Sequence, residues 1–180
     1  MNRPPSCEGM MLPCRCLLAL KRRVFPGAVD KDEKGLGGMA YRPIGDAEQK
    51  NKLVTTATMS YAGLKSMIHA KLKKDDVRVK ALMKYLMKNY TTKENPGMGD
   101  QGLFYYLHIM TKALEAYGND FLKDENGKQI TWREDILNKF MAMQKEDGHW
   151  ENANGRFMEN KHDLVGSYAI IAMKKALNIK

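Results

Sequence analysis

The stretch Phe140-Met-Ala-Met-Gln-Lys-Glu-Asp-Gly-His-Trp150 decides the fold, because it joins the end of an amphipathic helix to a tight turn. Its aromatic, amide and glycine positions keep regular gaps, with four marker residues: Phe140, Gln144, Gly148 and Trp150. Gln144 near the helix end can bond backbone groups that the last turn leaves free. Gly148 can adopt the positive φ that such a turn needs. We therefore expect a helix that ends in a fixed turn, with Trp150 stacked on it.

Around this turn, apolar residues recur at helical spacing from Thr56 onward. The sequence predicts helices over about 58–72, from Asp75 or Asp76 to about 90, over 100–117, from 131 to before 148, and over 163–177. Thr131-Trp-Arg-Glu134 is typical of a capping box, and Asn126-Gly127 predicts a hairpin turn inside 120–130. The second and fourth helices are amphipathic. The third and fifth are apolar nearly all round, which predicts an inner, buried layer.

The third and fifth helices also share a pattern. Tyr105, followed by Lys112-Ala113-Leu114, returns 63 residues later as Tyr168, followed by Lys175-Ala176-Leu177. A repeated helix with loops of variable length is typical of αα-hairpin repeats.

Residues 1–50 differ from the rest of the chain. They hold five of the six prolines and show no sustained helical period. The run Gly35–Pro43 predicts turn and loop, and a short helix is expected only near 17–23. We therefore divide the chain into an irregular, poorly ordered segment, 1–50, and a repeat domain, 51–180.

Composition restricts the class of partner and compartment. The net charge is +9, but the lysines alternate with apolar positions along helices, and no nucleic-acid-binding module is present. Hence no nucleic-acid partner is expected. No apolar run is long enough to span a membrane. Three cysteines near the N-terminus favour free thiols in a reducing compartment. Basic residues follow the apolar patches where a signal peptide has small ones, so the predicted location is the cytoplasm.

The 140–150 stretch resembles the QW motif of squalene cyclase/prenyltransferase repeat proteins, and the resemblance extends over about 56–178, through Met59–Ser66, Glu94–Tyr106 and Trp150–Ala169. It implies an all-α fold in which αα-hairpin repeats form part of an (α/α) toroid. It also implies a structural role for the four marker residues, which tie outer helices into the ring. Five helices are fewer than a closed ring needs. We therefore expect a piece of a longer chain or, as the alternative, self-association through the open repeat edges.

The residues that perform the chemistry of that family are not found in the helical region of this sequence. Its cyclases protonate an alkene through an Asp-rich motif, and the nearest match, Asp30-Lys31-Asp32-Glu33, lies in a Gly-rich polar stretch typical of a solvated loop. Its protein prenyltransferases bind zinc through Asp, Cys and His, yet the helical region has no Cys. The four histidines have no partners at ligand spacing along the chain, so neither a metal nor another cofactor is predicted. Whether the chain is an enzyme stays open.

The resemblance further implies a cavity lined by residues near the starts of the inner helices: Tyr61, Asp100, Phe104, Tyr105, His108 and Tyr168. Aromatic faces can stabilise a carbocation, and a buried Asp100 could donate a proton, with His108 as the other catalytic candidate. The alternative, which we favour, is that the aromatics and His108 are packing residues and that Asp100 caps a helix.

Two functions remain as hypotheses. The first is a terpenoid cyclase/prenyltransferase-like repeat protein with a cavity for an apolar, isoprenoid-type ligand. The second is a non-catalytic αα-repeat scaffold that binds protein or glycan.

Overall fold

The computed structural model describes residues 37–44 and 52–178 of the chain. This part is mostly helical, with α1 Ala57–His69, α2 Val77–Lys88, α3 Leu103–Tyr117, α4 Trp132–Met143 and α5 His162–Ala176. Two small antiparallel hairpins complete it: β1 Met39–Ile44 with β2 Lys52–Thr56, and β3 Leu122–Lys123 with β4 Gln129–Ile130. The predicted helical class is thus confirmed at this coarse level. None of the described helices combines the length and the apolar character needed to cross a membrane.

Several helix ends follow the predicted local signals. The carboxylate of Asp76 accepts a hydrogen bond of 2.9 Å from the backbone N–H of Arg78 and caps α2. Gly118 ends α3 with φ of +73°, and Gly127 has φ of +79° in the β3–β4 turn. The capping box predicted at 131–134 is wrong, because the side chain of Thr131 makes no capping bond. Its ψ of 67° departs from the extended backbone that directs an N-cap hydroxyl at the helix.

Helix α3 lies at the centre of the packing, with α1 on one side and α5 on the other, while α2 packs on α1 and α4 on α5. The largest fully buried side chains come mainly from these contacts: Trp132, Tyr61, Tyr106, Phe104 and Phe140. Burial of that apolar area provides most of the stabilisation, roughly 25 cal/mol per Å² removed from water.

Helices α3 and α5 run parallel, and the repeated pattern is in register between them. The rings of Tyr105 and Tyr168, which the 63-residue offset equates, lie with centroids 5.6 Å apart near the helix starts. Near the helix ends, Nζ of Lys175 lies 2.6 Å from Oε2 of Glu115. The two helices that share the sequence pattern are therefore also neighbours in the structure.

Helix α5 is not buried all round, and that prediction is wrong. Its buried residues are one valine and three alanines: Val165, Ala169, Ala172 and Ala176. Ile170 and Ile171 are 59% and 41% exposed. Small side chains let α5 pack closely on α3 and α4, and Ile170 and Ile171 consequently lie on faces that no described element covers.

The hairpin of β1 and β2 corrects the predicted loop at Gly35–Pro43. Met39 pairs with Thr56, and the backbone N–H of Met39 donates to Oγ of Ser60 at 2.9 Å. Strand pairing of this kind depends on a partner segment, which the local turn-forming composition does not reveal. The short helix expected near 17–23 lies outside the described residues, and the domain boundary after residue 50 stays a prediction.

Candidate functional site

An aromatic face on α3 and α5 brings together three of the predicted cavity residues: Tyr105, His108 and Tyr168. The ring of Tyr168 lies 5.6 Å from that of Tyr105 and 5.1 Å from that of His108, centroid to centroid. Tyr105 is 40% exposed, whereas His108 is buried at 6%. We refer to these three residues as the α3–α5 face. It offers two partly exposed aromatic rings above a buried imidazole.

The imidazole of His108 is neutral at physiological pH. Burial and, to a smaller extent, the positive charge of Lys112 together lower its pKa to about 4. Its Nδ1 has no hydrogen-bond partner among the described residues. Neutral His108 therefore fits the packing role better than that of a proton donor.

Lysines border the face on three neighbouring helices. Burial lowers the pKa of Lys112, and the charges of Lys65 and Lys175 add to the effect. Lys175 is paired with Glu115 through a bond of 2.6 Å. The charges of Lys65 on α1, Lys112 on α3 and Lys175 on α5 thus all act on one group, the imidazole of His108.

The other predicted cavity residues lie elsewhere. Tyr61 and Phe104 are each 1% exposed and belong to the core, where their rings pack at 6.0 Å from those of Tyr106 and Phe140. This is the packing alternative that the sequence favours. Asp100 is exposed, so it lacks the burial that a raised pKa would need. It is not the N-cap either, because Gly102 occupies that position with φ of +66° and α3 begins three residues later than Asp100.

A groove of about 520 Å³ lies at a different place, between the end of α2 and the β3–β4 hairpin. Its lining is mainly polar and includes Lys88, Asp124 and Lys128. The hydroxyl of Tyr90 donates to Oδ2 of Asp135 at 2.7 Å across it. Sequence reasoning did not identify this groove, and its polar lining does not suit an apolar ligand.

The turn after α4, residues 144–150, confirms the predicted positive φ of Gly148, whereas the bonds of the Gln144 and Trp150 side chains differ from those expected and stacking of Trp150 stays a prediction. The amide Nε2 of Gln144 donates to the carbonyl of Gly148 at 2.8 Å, and Gly148 has φ of +88°. Trp150 acts through its indole N–H, which donates at 2.8 Å to the carbonyl of Phe140 inside the last turn of α4. The turn is therefore tied to the helix at two points. We refer to residues 144–150 as the strap.

The strap and the segment that follows it bring together three residues that lie apart in the sequence. Possible ligand atoms of His149, Glu151 and His162 all lie within 4.8 Å of one another. The two imidazole rings are stacked, with centroids 4.0 Å apart and planes at 19°. The sequence did not predict that these histidines have neighbours at ligand distance. They do in the structure, because the segment after Glu151 folds back and places His162, at the start of α5, beside His149. No local sequence signal indicates this return.

A buried glutamate, also missed, fixes that returning segment. The side chain of Glu159 is fully buried. Its Oε1 accepts from the backbone N–H of Tyr105 at 2.9 Å, and its Oε2 accepts from Nδ2 of Asn152 at 2.8 Å. A carboxylate at the start of α3 satisfies a free N–H and complements the helix dipole. The strap region and the α3–α5 face are thereby held in one framework.

Comparisons with models of known protein families, with curated proteins and with solved structures found no match.

Proposed function

We propose that this chain is an αα-repeat binding module of the terpenoid cyclase/prenyltransferase-like kind, which holds an apolar, isoprenoid-type ligand against the α3–α5 face. The observation that carries the proposal is the pair Tyr105 and Tyr168, whose rings lie 5.6 Å apart on neighbouring parallel helices. Tyr105 is 40% exposed. Aromatic side chains provide large apolar contact area in a fixed orientation, which suits branched hydrocarbon chains.

The charges near the face favour an isoprenoid with an anionic end. Lys65 and Lys112 are half-buried, and their charges act on each other and on Lys175. Glu115 neutralises Lys175, which leaves an excess of positive charge beside the aromatic rings. A phosphate or diphosphate group would satisfy that excess.

The proposed function is binding and does not include catalysis. Asp100 is exposed, and His108 is neutral because burial lowers its pKa to about 4. Neither side chain has the environment of a strong buried acid. The Asp-rich match at 30–33 lies outside the described residues. The cytoplasm, favoured by the cysteine pattern, is the proposed location.

A ligand titration tests this proposal. The full chain is titrated with farnesyl diphosphate and with farnesol, and binding is followed by calorimetry. We expect Tyr105→Ala and Tyr168→Ala each to weaken both ligands about 5- to 30-fold, since a lost aromatic contact costs about 1–2 kcal/mol. Lys112→Ala should weaken the diphosphate and leave farnesol unchanged.

Phe121→Ala provides the control, because Phe121 is 62% exposed but lies outside the α3–α5 face. Equal affinity of the tyrosine variants and this control would contradict the site. No binding of either ligand would instead favour the second candidate, a scaffold for protein or glycan, which the exposed Ile170 and Ile171 on α5 support.

A further inference from the structure

A second site, made of different residues and donor groups from those of the α3–α5 face, is indicated next to the strap. His149, Glu151 and His162 offer two imidazoles and one carboxylate, whose ligand atoms all lie within 4.8 Å of one another. In a tetrahedral zinc site, ligand atoms about 2.0–2.2 Å from the metal are separated by about 3.3 Å. The cluster is therefore within small side-chain rotations of a metal-binding arrangement.

The orientation of His149 is the second observation. Its Nδ1 is hydrogen-bonded to Oδ1 of Asp147. Its Nε2 is screened from solvent and has no hydrogen-bond partner among the described residues. A carboxylate that holds one ring nitrogen and leaves the other free is the usual outer partner of a metal-bound histidine. Asp147 thus orients the ring of His149 and leaves its Nε2 for a metal ion.

The backbone of the strap is fixed before any ion binds. Lys145 and His149 are joined by a backbone bond of 2.9 Å, and Trp150, which separates two of the donors, is anchored to Phe140. His162 belongs to the first turn of α5. Two donors are therefore held by the end of α4 and the third by the start of α5, so little chain entropy is lost on binding.

Two local adjustments are required. The stacked rings must turn apart so that both lone pairs can meet one ion, and the side chain of His162 is 53% exposed and can rotate. Nζ of Lys145 lies 3.2 Å from Oε1 of Glu151, and this ion pair must break before Glu151 can bind the metal. Lys145 is itself 51% exposed, so it can return to solvent.

We propose that His149, Glu151 and His162 form a zinc site, with Asp147 as the positioning residue of His149. Two imidazoles and a carboxylate suit Zn²⁺, whereas Mg²⁺ and Ca²⁺ prefer oxygen ligands alone. Three protein ligands leave the fourth position to water. The bound ion would link the end of α4 to the start of α5. This site is independent of the proposed isoprenoid binding.

Zinc titration of the full chain, after removal of metal with EDTA, tests the proposal by calorimetry. We expect the wild type to bind a zinc equivalent that the His149→Ala/His162→Ala variant does not bind. Asp147→Asn should weaken this equivalent about 10- to 100-fold, as loss of an outer partner does. Zinc bound by Cys7, Cys14 or Cys16 would be common to all variants and cancels in the difference.

His69→Ala is the control, because His69 is exposed at the end of α1, outside the cluster. A second readout does not depend on substitution: in the wild type, zinc should shift the imidazole ¹⁵N resonances of His149 and His162 together. Equal zinc uptake by the wild type and the double variant, or unmoved resonances of both histidines, would overturn the proposal.

Discussion

His108 shows how one buried side chain couples the fold to pH. Burial lowers its pKa to about 4, compared with 6.5 for an exposed histidine. The unfolded chain therefore takes up a proton between these two values and the folded chain does not. Stability must consequently fall as the pH falls through this window.

For His108→Gln, we expect a smaller loss of stability on acidification than for the wild type. A shift of this size corresponds to about 2–3 kcal/mol between pH 7 and pH 4. The measurement is the urea midpoint at both pH values, compared between variant and wild type so that the carboxylates cancel. His69→Gln is the matched control, since His69 is exposed. The same acid sensitivity in His108→Gln as in the wild type would contradict the prediction.

At the scale of elements, two glycines illustrate how α4 ends and how α5 is built. Gly148 has φ of +88° in the strap, while an added Cβ there would meet only Nε2 of Gln144 at 3.9 Å. Gly166 lies within α5, and an added Cβ would meet nothing within 4 Å. Space is therefore available at both positions, and only the backbone conformation differs.

The pair Gly148→Ala and Gly166→Ala should change stability in opposite directions. We expect Gly148→Ala to lower the free energy of unfolding by about 1–2 kcal/mol, the cost of a left-handed residue with a side chain. Gly166→Ala should raise it by about 0.5–1 kcal/mol, because alanine favours the helix and restricts the unfolded chain. Chemical denaturation measures both. A gain in stability for Gly148→Ala would contradict the role of the strap turn.

Apart from the capping box at 131–134, the sequence predicted the features whose signals are local, and it missed those that form between segments far apart in the chain. The Asp76 cap, the Gly118 stop and the Gly127 turn are each encoded within a few residues, and all were confirmed. The partner of Met39 in β2 and the approach of His162 to His149 depend on distant segments. Spacing along the chain does not show such contacts, so the sequence did not predict the cluster of His149, Glu151 and His162.

Helix α5 shows a different limit of sequence reasoning. Apolar residues surround it, which predicts burial on every side. The structure buries only its small residues, since close approach to α3 favours Ala169 and Ala172 over the isoleucines. Likewise, Tyr105 and Tyr168 were expected at the site and do lie together, whereas Tyr61 and Phe104 share their composition but lie in the core. Exposure depends on neighbours that hydropathy alone does not specify.

At the scale of the whole molecule, the side of α5 that residues 37–44 and 52–178 leave exposed bears on assembly. Ile170, Ile171 and Leu177 are 59%, 41% and 54% exposed. Ile170 and Ile171 are adjacent on α5 and Leu177 follows its last residue, and exposed apolar groups cost roughly 25 cal/mol per Å² in water. We propose that two copies of the chain associate through this helix, because one patch can meet itself across a two-fold axis.

Sedimentation velocity of the full chain should then show a dimer that dissociates on dilution. We expect Ile170→Glu/Ile171→Glu to be monomeric over the same concentrations, since burying charges at a contact is strongly unfavourable. Val77→Glu is the control, because Val77 is 71% exposed on α2. A wild type that stays monomeric at every concentration would contradict self-association through α5.

Helix α4 has a tryptophan at each end. Trp132, at its start, donates its indole N–H to the carbonyl of Asn119 at 2.9 Å, and Trp150, beyond its end, donates to Phe140. The chain contains only these two tryptophans. The tryptophan fluorescence of the chain consequently reports on the two ends of α4. In variants that keep only one tryptophan, the change in fluorescence during unfolding would give the rate at which each end unfolds.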